Sequence, residues 1–135
     1  MPMCDWINRN DTLQACLPAV NGVYSALSLA RSYAALLPGG VDGVSLLSEE
    51  TVKKATEVAP INRNPDGTDG FGLGYYSGLY EMQAAFGAAG YGGSVAFADV
   101  KHHYSLALTK SLFRLDGAEV EIIRNIQKMM ESLNA

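Results

Sequence analysis

One stretch divides the chain into two kinds of sequence. Residues 61–70, Ile-Asn-Arg-Asn-Pro-Asp-Gly-Thr-Asp-Gly, concentrate Asn, Asp, Gly and Pro. These residues favour turns because their backbones or short polar side chains prefer local, non-repeating conformations. The apolar period changes across this loop. Before it, apolar residues recur at helical spacing; after it, short runs rich in aromatic and β-type residues alternate with turn signals. The order predicts an α+β fold of two helices, an antiparallel sheet of about four strands and a closing C-terminal helix.

The helical part spans 18–60, after an irregular lead-in at 1–17 that Pro18 punctuates. Ser25 caps a first helix whose apolar face carries Leu27, Ala30, Ala34 and Leu37. Pro38, Gly39 and Gly40 stop it. A turn at Val41, Asp42 and Gly43 follows, and Ser48 caps a second helix that runs to about Val58 and ends at Pro60. Glu49 and Glu50 stand in its first turn, where the helix dipole favours negative charge.

The sheet and closing helix occupy 71–135. Strands are expected at 71–76, 83–89, 92–98 and 104–110, with 99–103 as a hairpin connection. Asp116 and Glu119 have the spacing of a capping-box variant. Val120, Ile123, Ile126, Met130 and Leu133 then mark one face of a terminal helix, which should lie on one face of the sheet. No internal repeat or second domain interrupts residues 1–135.

Composition narrows the function classes. Hydrophobic residues at 48% and charged residues at 18% describe a folded globular chain. A net charge of −4, with no basic cluster to offset it, argues against nucleic acid or an anionic membrane as a main partner. No apolar run reaches membrane-spanning length, and the N-terminus lacks the basic start and apolar core of a secretory signal. The default compartment is therefore the cytoplasm. Cys4 and Cys16 lack Cys-x-x-Cys spacing and nearby histidines, so they read as unpaired thiols and not as zinc ligands. No cofactor is expected.

Residues 86–94, Phe-Gly-Ala-Ala-Gly-Tyr-Gly-Gly-Ser, follow an apolar run and precede Val95, Ala96, Phe97 and Ala98. Small residues in a strand permit close approach to its backbone. The stretch resembles the third motif of the β-lactamase-related serine hydrolases, the family of class C β-lactamases, D-alanyl-D-alanine carboxypeptidases and related esterases. That motif reads Lys or His, then Thr, Ser or Gly, then Gly; the positions here are Ala88, Ala89 and Gly90. Its frame is kept and its polar group is missing. Residues 18–52, with Pro18, Ala19, Asn21, Gly22, Leu29, Ala30 and Arg31, resemble the helical segment that precedes this motif in the esterase-type members. Gly70 to Tyr76 resembles the strand between, and the segments after Ser94 fit the family's C-terminal end. The resemblance covers most of 18–133 in order.

It implies the C-terminal part of the β-lactamase/transpeptidase-like fold, in which an intact member cleaves amide or ester bonds through an acyl-serine. The family's nucleophile lies in Ser-x-x-Lys, where lysine helps remove the hydroxyl proton. No such motif is present: Ser28 is followed by Leu29, Ala30 and Arg31, and Ser111 by Leu112, Phe113 and Arg114. Arginine stays protonated and is a poor acceptor. The second motif, Tyr-x-Asn or a relative, is absent too. The resemblance therefore assigns Ala88, Ala89, Gly90, Tyr91, Gly92 and Ser94 to a degenerate substrate-binding strand and its flank, with no catalytic residue in this chain.

Other candidates read more plainly. Ser94 has no base near it in sequence and is expected to bond backbone. His102 and His103 are adjacent, so they face opposite sides of a strand or sit in a solvated turn. Gly70, Gly72 and Gly74 lead into Tyr75 and Tyr76 and not into a helix, which argues against a phosphate cradle. Asp66 and Asp69 lack a calcium-site ligand series. Tyr24 and Tyr33 read as packing residues.

Three functions fit this reading. The first is a truncated or degenerate hydrolase domain, inactive alone. The second is the C-terminal fragment of an active hydrolase whose upstream part carries Ser-x-x-Lys. The third is a non-catalytic binding or interaction module. In the full fold, N-terminal strands lie beside the final strand, so the strand at 104–110 is expected to present an open edge. Self-association or a complementary N-terminal segment would satisfy it.

Overall fold

Two of the helices begin where a serine supplies a cap. In the computed structural model, which describes residues 3–20, 22–63, 70–112, 114 and 116–133, Ser25 Oγ accepts the Ser28 N–H ahead of α3 (Ala26–Ala34). Ser48 Oγ accepts the Thr51 N–H ahead of α4 (Glu49–Thr56). Each bond satisfies an amide that a first helical turn leaves unpaired, an effect of about 1 kcal/mol. Between the two helices, Asp42 and Gly43 have φ of 49° and 73°, the left-handed pair that a tight hairpin turn needs, and Val41 bridges Val44.

The buried face of α3 is largely the one expected: Leu37 is buried and Ala30 and Ala34 are half-buried, joined by Tyr33, Leu36 and Leu29, whereas Leu27 is 71% exposed. Ser28, Arg31 and Ser32 form the opposite, exposed stripe, and Leu27 lies between the two. The lead-in also differs from expectation. It forms two single-turn helices, α1 (Met3–Ile7) and α2 (Asn10–Gln14), with Thr12 buried. Five-residue helices are too short to impress a period on the sequence.

Five strands form one antiparallel meander in chain order: β1 (Gly70–Phe71), β2 (Tyr76–Ser77), β3 (Ala85–Ala89), β4 (Val95–Asp99) and β5 (Tyr104–Leu108). The stretch 71–76, expected as one strand, is a hairpin instead. Gly74 turns it with φ of 106°, Gly72 N–H donates to Tyr75 O, and Leu73 N–H leaves the ladder for Ala55 O at the end of α4. Residues 92–94 belong to the turn before β4 and not to that strand, and β5 ends at Leu108.

Helices cover both faces. Phe86, Ala96 and Ala98 pack with Tyr33, Leu36, Leu37 and Val52 on the side of α3 and α4. Ala85, Val95 and Phe97 pack with Ile123 on the side of α5 (Ala118–Leu133). The alternation follows the two-residue period of a strand, and β4 is buried at every position because both of its faces are covered. The terminal helix lies as expected, with Ile123 fully buried and Val120, Ile126 and Met130 half-buried. Leu133, expected on that face, is 75% exposed. The capping box does not close. Asp116 Oδ1 accepts the Ala118 N–H, while Glu119 turns to Lys110.

Candidate functional site

β3 changes character along its length. Ala85, Phe86 and Gly87 are buried; Ala88 and Ala89 are exposed. Gly87 marks the change. A Cβ there would collide with the Ala96 carbonyl oxygen and lie 2.6 Å from Phe97 Cα, so glycine lets β3 press onto β4 just before the exposed pair. Ala88 then stands opposite Ala96, and Ala89 opposite Val95.

The strand ends in a glycine turn. Gly90 N–H donates to Ser94 O at 2.7 Å, and Gly93 N–H donates to Gly90 O at 3.1 Å. Gly92 is buried with φ of 103°, and Gly93 has φ of 93°, both costly for any other residue. Tyr91 stands at the tip, 67% exposed. A Cβ at Gly93 would fall 2.7 Å from both Lys110 Nζ and Glu119 Oε2, so those side-chain ends would have to shift to admit it.

Ser94 is tied to backbone. Its Oγ accepts the Lys110 N–H at 3.1 Å, which extends the β4–β5 ladder by one side-chain bond. The Lys110 ammonium meets Glu119 Oε2 at 3.0 Å, Asp116 Oδ1 at 3.1 Å and Arg114 O at 3.1 Å. The hydrogen bond that Lys110 donates to Glu119, then that to Asp116, holds Lys110 above its ordinary range. Lys110 in turn lowers Asp116, and Glu119 is lowered first by its own backbone amide and then by Lys110. A lysine so held is a loaded cation, so it offers Ser94 no proton acceptor. Sequence spacing did not reveal this cluster; the signal was a lysine directly after a strand and two acids at the start of the next helix.

The two histidines diverge. Asp99 is 1% exposed, and its carboxylate takes the His102 N–H at 3.0 Å on one oxygen and His102 Nδ1 at 2.9 Å on the other. His102 is thus paired and mostly buried, which corrects the expectation of a solvated turn. His103, with φ of 54°, places Nε2 2.9 Å from Pro38 O, a carbonyl that can only accept, so Nε2 carries the proton. They serve no common centre. Gly72 is explained by contact, since a Cβ there would come within 3.1 Å of Glu57 O. Tyr33 is a packing residue, but Tyr24 is 63% exposed. Asp66, Asp69 and the Cys4 side chain lie outside the described residues.

A cleft of about 1080 Å³ lies at the other end of β3, lined in part by Glu57, Gln83, Ala84 and Val100. It shares no residue with the Ala88 to Ser94 segment. Among the described residues, no three His, Cys, Asp or Glu side chains group as metal ligands. Every buried side-chain nitrogen or oxygen among them has a partner. No helix among them is long and apolar enough to cross a membrane. The exposed end of β3 therefore offers main-chain donors and acceptors beside two methyl groups. It can bind a polar group through its backbone, and its own side chains cannot move a proton.

The chain is similar to the esterase/beta-lactamase LipL of Mycobacterium tuberculosis, with 38% identity over 102 residues, 71% of this chain and 24% of that protein. It thus spans about a quarter of the length of that relative, the 24% just given. The likeness supports a relationship to the β-lactamase-related hydrolases over part of their length. No family model matches the chain. No solved structure matches it.

Proposed function

We propose that this chain is the C-terminal part of a β-lactamase-related serine hydrolase domain, its helical segment, sheet and closing helix, degenerate at its third motif and catalytically silent alone. One observation carries the reading. Where an active relative would hold a substrate carbonyl or carboxylate, the exposed end of β3 presents only Ala88 and Ala89, followed by Gly90. Tyr91, Gly92 and Ser94 form the flank of that place, and Ser94 spends its oxygen on the Lys110 amide. The 38% identity with a protein named for esterase and β-lactamase supports the family. A hydrolytic fold without a nucleophile and its base does not confer the reaction.

The isolated chain is expected to hydrolyse a chromogenic β-lactam and a short-chain nitrophenyl ester at the buffer rate, and to take no label from a fluorescent penicillin. The variant Ala88→His/Ala89→Thr restores the polar form of the motif and should still show the buffer rate. Groups that stabilise a transition state cannot replace the missing acylation site. Saturable hydrolysis that disappears in Ser94→Ala overturns the proposal.

The 24% coverage of the relative favours a second reading, in which an upstream part supplies Ser-x-x-Lys to this sheet. An in-frame coding sequence before Met1 that carries that motif and a second one selects it.

A further inference from the structure

The geometry points to Lys110 as a positioning residue for the exposed end of β3: it grips the glycine turn at 90–94 and so fixes where the main chain of Ala88 to Gly90 stands. Ala88 and Ala89 carry only methyl groups, so main-chain N–H and C=O groups are all that this end of the strand can aim at a polar group. Recognition of that kind depends on placement, because a displaced donor or acceptor meets its partner at a poor distance and angle. The positioning stands on the geometry of this chain, and only its bearing on a substrate rests on the hydrolase reading.

The turn has little to hold it from within. The β3–β4 ladder ends at Ala89, opposite Val95. Beyond it Gly92 and Gly93 take positive φ, and neither has a side chain to pack. Two main-chain bonds close the turn, from Gly90 N–H to Ser94 O and from Gly93 N–H to Gly90 O. A turn of this make opens at low cost unless something outside it adds contacts.

Lys110 adds them at both ends of the residue. Its N–H donates to Ser94 Oγ at 3.1 Å, and its ammonium lies against Gly93, 2.7 Å from where a Cβ would stand. The ammonium is itself fixed. Its three protons meet three acceptors: Glu119 Oε2 at 3.0 Å, Asp116 Oδ1 at 3.1 Å and Arg114 O at 3.1 Å. The Lys110 and Glu119 side chains are only 16% and 14% exposed, so water screens this pair less than an open surface pair. A side chain that is ordinarily flexible thereby becomes a strut between the start of α5 and the turn. Glycine at 93 admits it, since a Cβ there would push the ammonium and the Glu119 carboxylate aside.

Amide hydrogen exchange, read residue by residue by NMR, tests the coupling, with the amides of β4 as the reference because that strand lies between two others. Lys110→Met keeps most of the stem and the N–H bond to Ser94 but loses the charge. In it, Gly90 and Gly93 should exchange about tenfold faster relative to β4, and the Ala88 and Ala89 amide resonances should shift with them. Lys110→Arg keeps the charge and its donors and should recover part of the protection. Glu119→Gln leaves Lys110 in place and weakens its shortest carboxylate contact, so it should give a smaller rise at the same two glycines and serves if Lys110→Met does not fold. Equal changes in the turn and in β4 overturn the proposal, because they mark a general loss of stability. Unchanged exchange at Gly90 and Gly93 also overturns it, and confines the lysine to tethering the connection from β5 to α5. No hydrolysis is read, so failure of this coupling leaves the hydrolase reading standing, and failure of that reading leaves the coupling standing.

Discussion

The two faces of the sheet solve the same packing problem in opposite ways. On the α5 face the sheet supplies the bulk: Val95, Phe97, Tyr104, Leu106 and Leu108 rise toward the helix, which answers with Ile123 as its single buried residue. On the α3 face β4 and β5 carry Ala96, Ala98, Ser105 and Ala107, and the bulk comes from Tyr33, Leu36, Leu37, Tyr75 and Phe86. Small residues let α3 sit close enough for Ser105 Oγ to reach the Ala30 carbonyl at 2.9 Å. One face should fail when volume is removed and the other when volume is added.

The largest effect is expected from Phe97→Ala, which empties a position that is 0% exposed and edge-to-face with Tyr104. Burial of this kind costs about 3–5 kcal/mol when truncated, read as a fall in the urea midpoint. Ala98→Leu tests the other face. Overpacking under α3 should cost about 1–3 kcal/mol, with the same readout. A neutral Ala98→Leu would mean that α3 can lift away freely, and the contrast between the faces would collapse.

A smaller effect concerns alkali, and it reaches both faces. Burial pushes the Tyr33 hydroxyl up to about 12, with Tyr75 adding to it, and burial does the same for Tyr104, aided by Asp99 and Glu131. A phenol whose value is raised on folding keeps its proton longer in the folded chain than in the unfolded one. Its contribution is intact below the ordinary value of 10.0 and is lost as pH rises toward about 12. Tyr33→Phe and Tyr104→Phe should each flatten stability across that window, measured by urea denaturation at stepped pH. If only one does so, burial on the two faces is unequal.

The smallest effect belongs to the Lys110 cluster. Asp116 and Glu119 are lowered on folding, so their contribution is present above their ordinary values of 3.8 and 4.5 and fades as pH falls below them. Lys110 is raised, so its part is complete below 10.5 and fades above. Lys110→Met should reduce the acid-side slope without abolishing it, since backbone amides also lower both carboxylates, and the melting temperature from pH 6 to pH 3 reports it.

What could be read ahead of the structure was what neighbouring residues decide among themselves. Ser25 and Ser48 cap helices because the bonded amide is three residues away, and the loop at 61–70 separates helices from strands by composition alone. The inward face of α3 was readable from Ala30, Ala34 and Leu37, but its margin was not: Leu27 and Leu29 flank that stripe on opposite sides, and only Leu29 packs on the core. The segment 71–76 was ambiguous because glycine in a strand signals either close packing or a turn, and here Ala55 O draws Leu73 out of line. The same holds at the site. The missing polar groups at Ala88 and Ala89 were plain, whereas Ser94 needed Lys110 beside it before its oxygen could be assigned. Asp116 and Glu119 had capping-box spacing, but a lysine's charge competed for both.

The meander also sets an order of events for the folding chain. Every strand pairs with the one before it, so the sheet can grow by short loop closures; residues 100–103 alone join β4 to β5. The contact from Ala30 to Ser105 bridges 75 positions. Loop entropy makes such a closure slower than the hairpins it depends on. The α3 layer is then the last to dock, and contacts that form after the rate-limiting step govern unfolding more than folding. The alanines beneath α3 thus bear on how long the folded chain lasts more than on how quickly it forms.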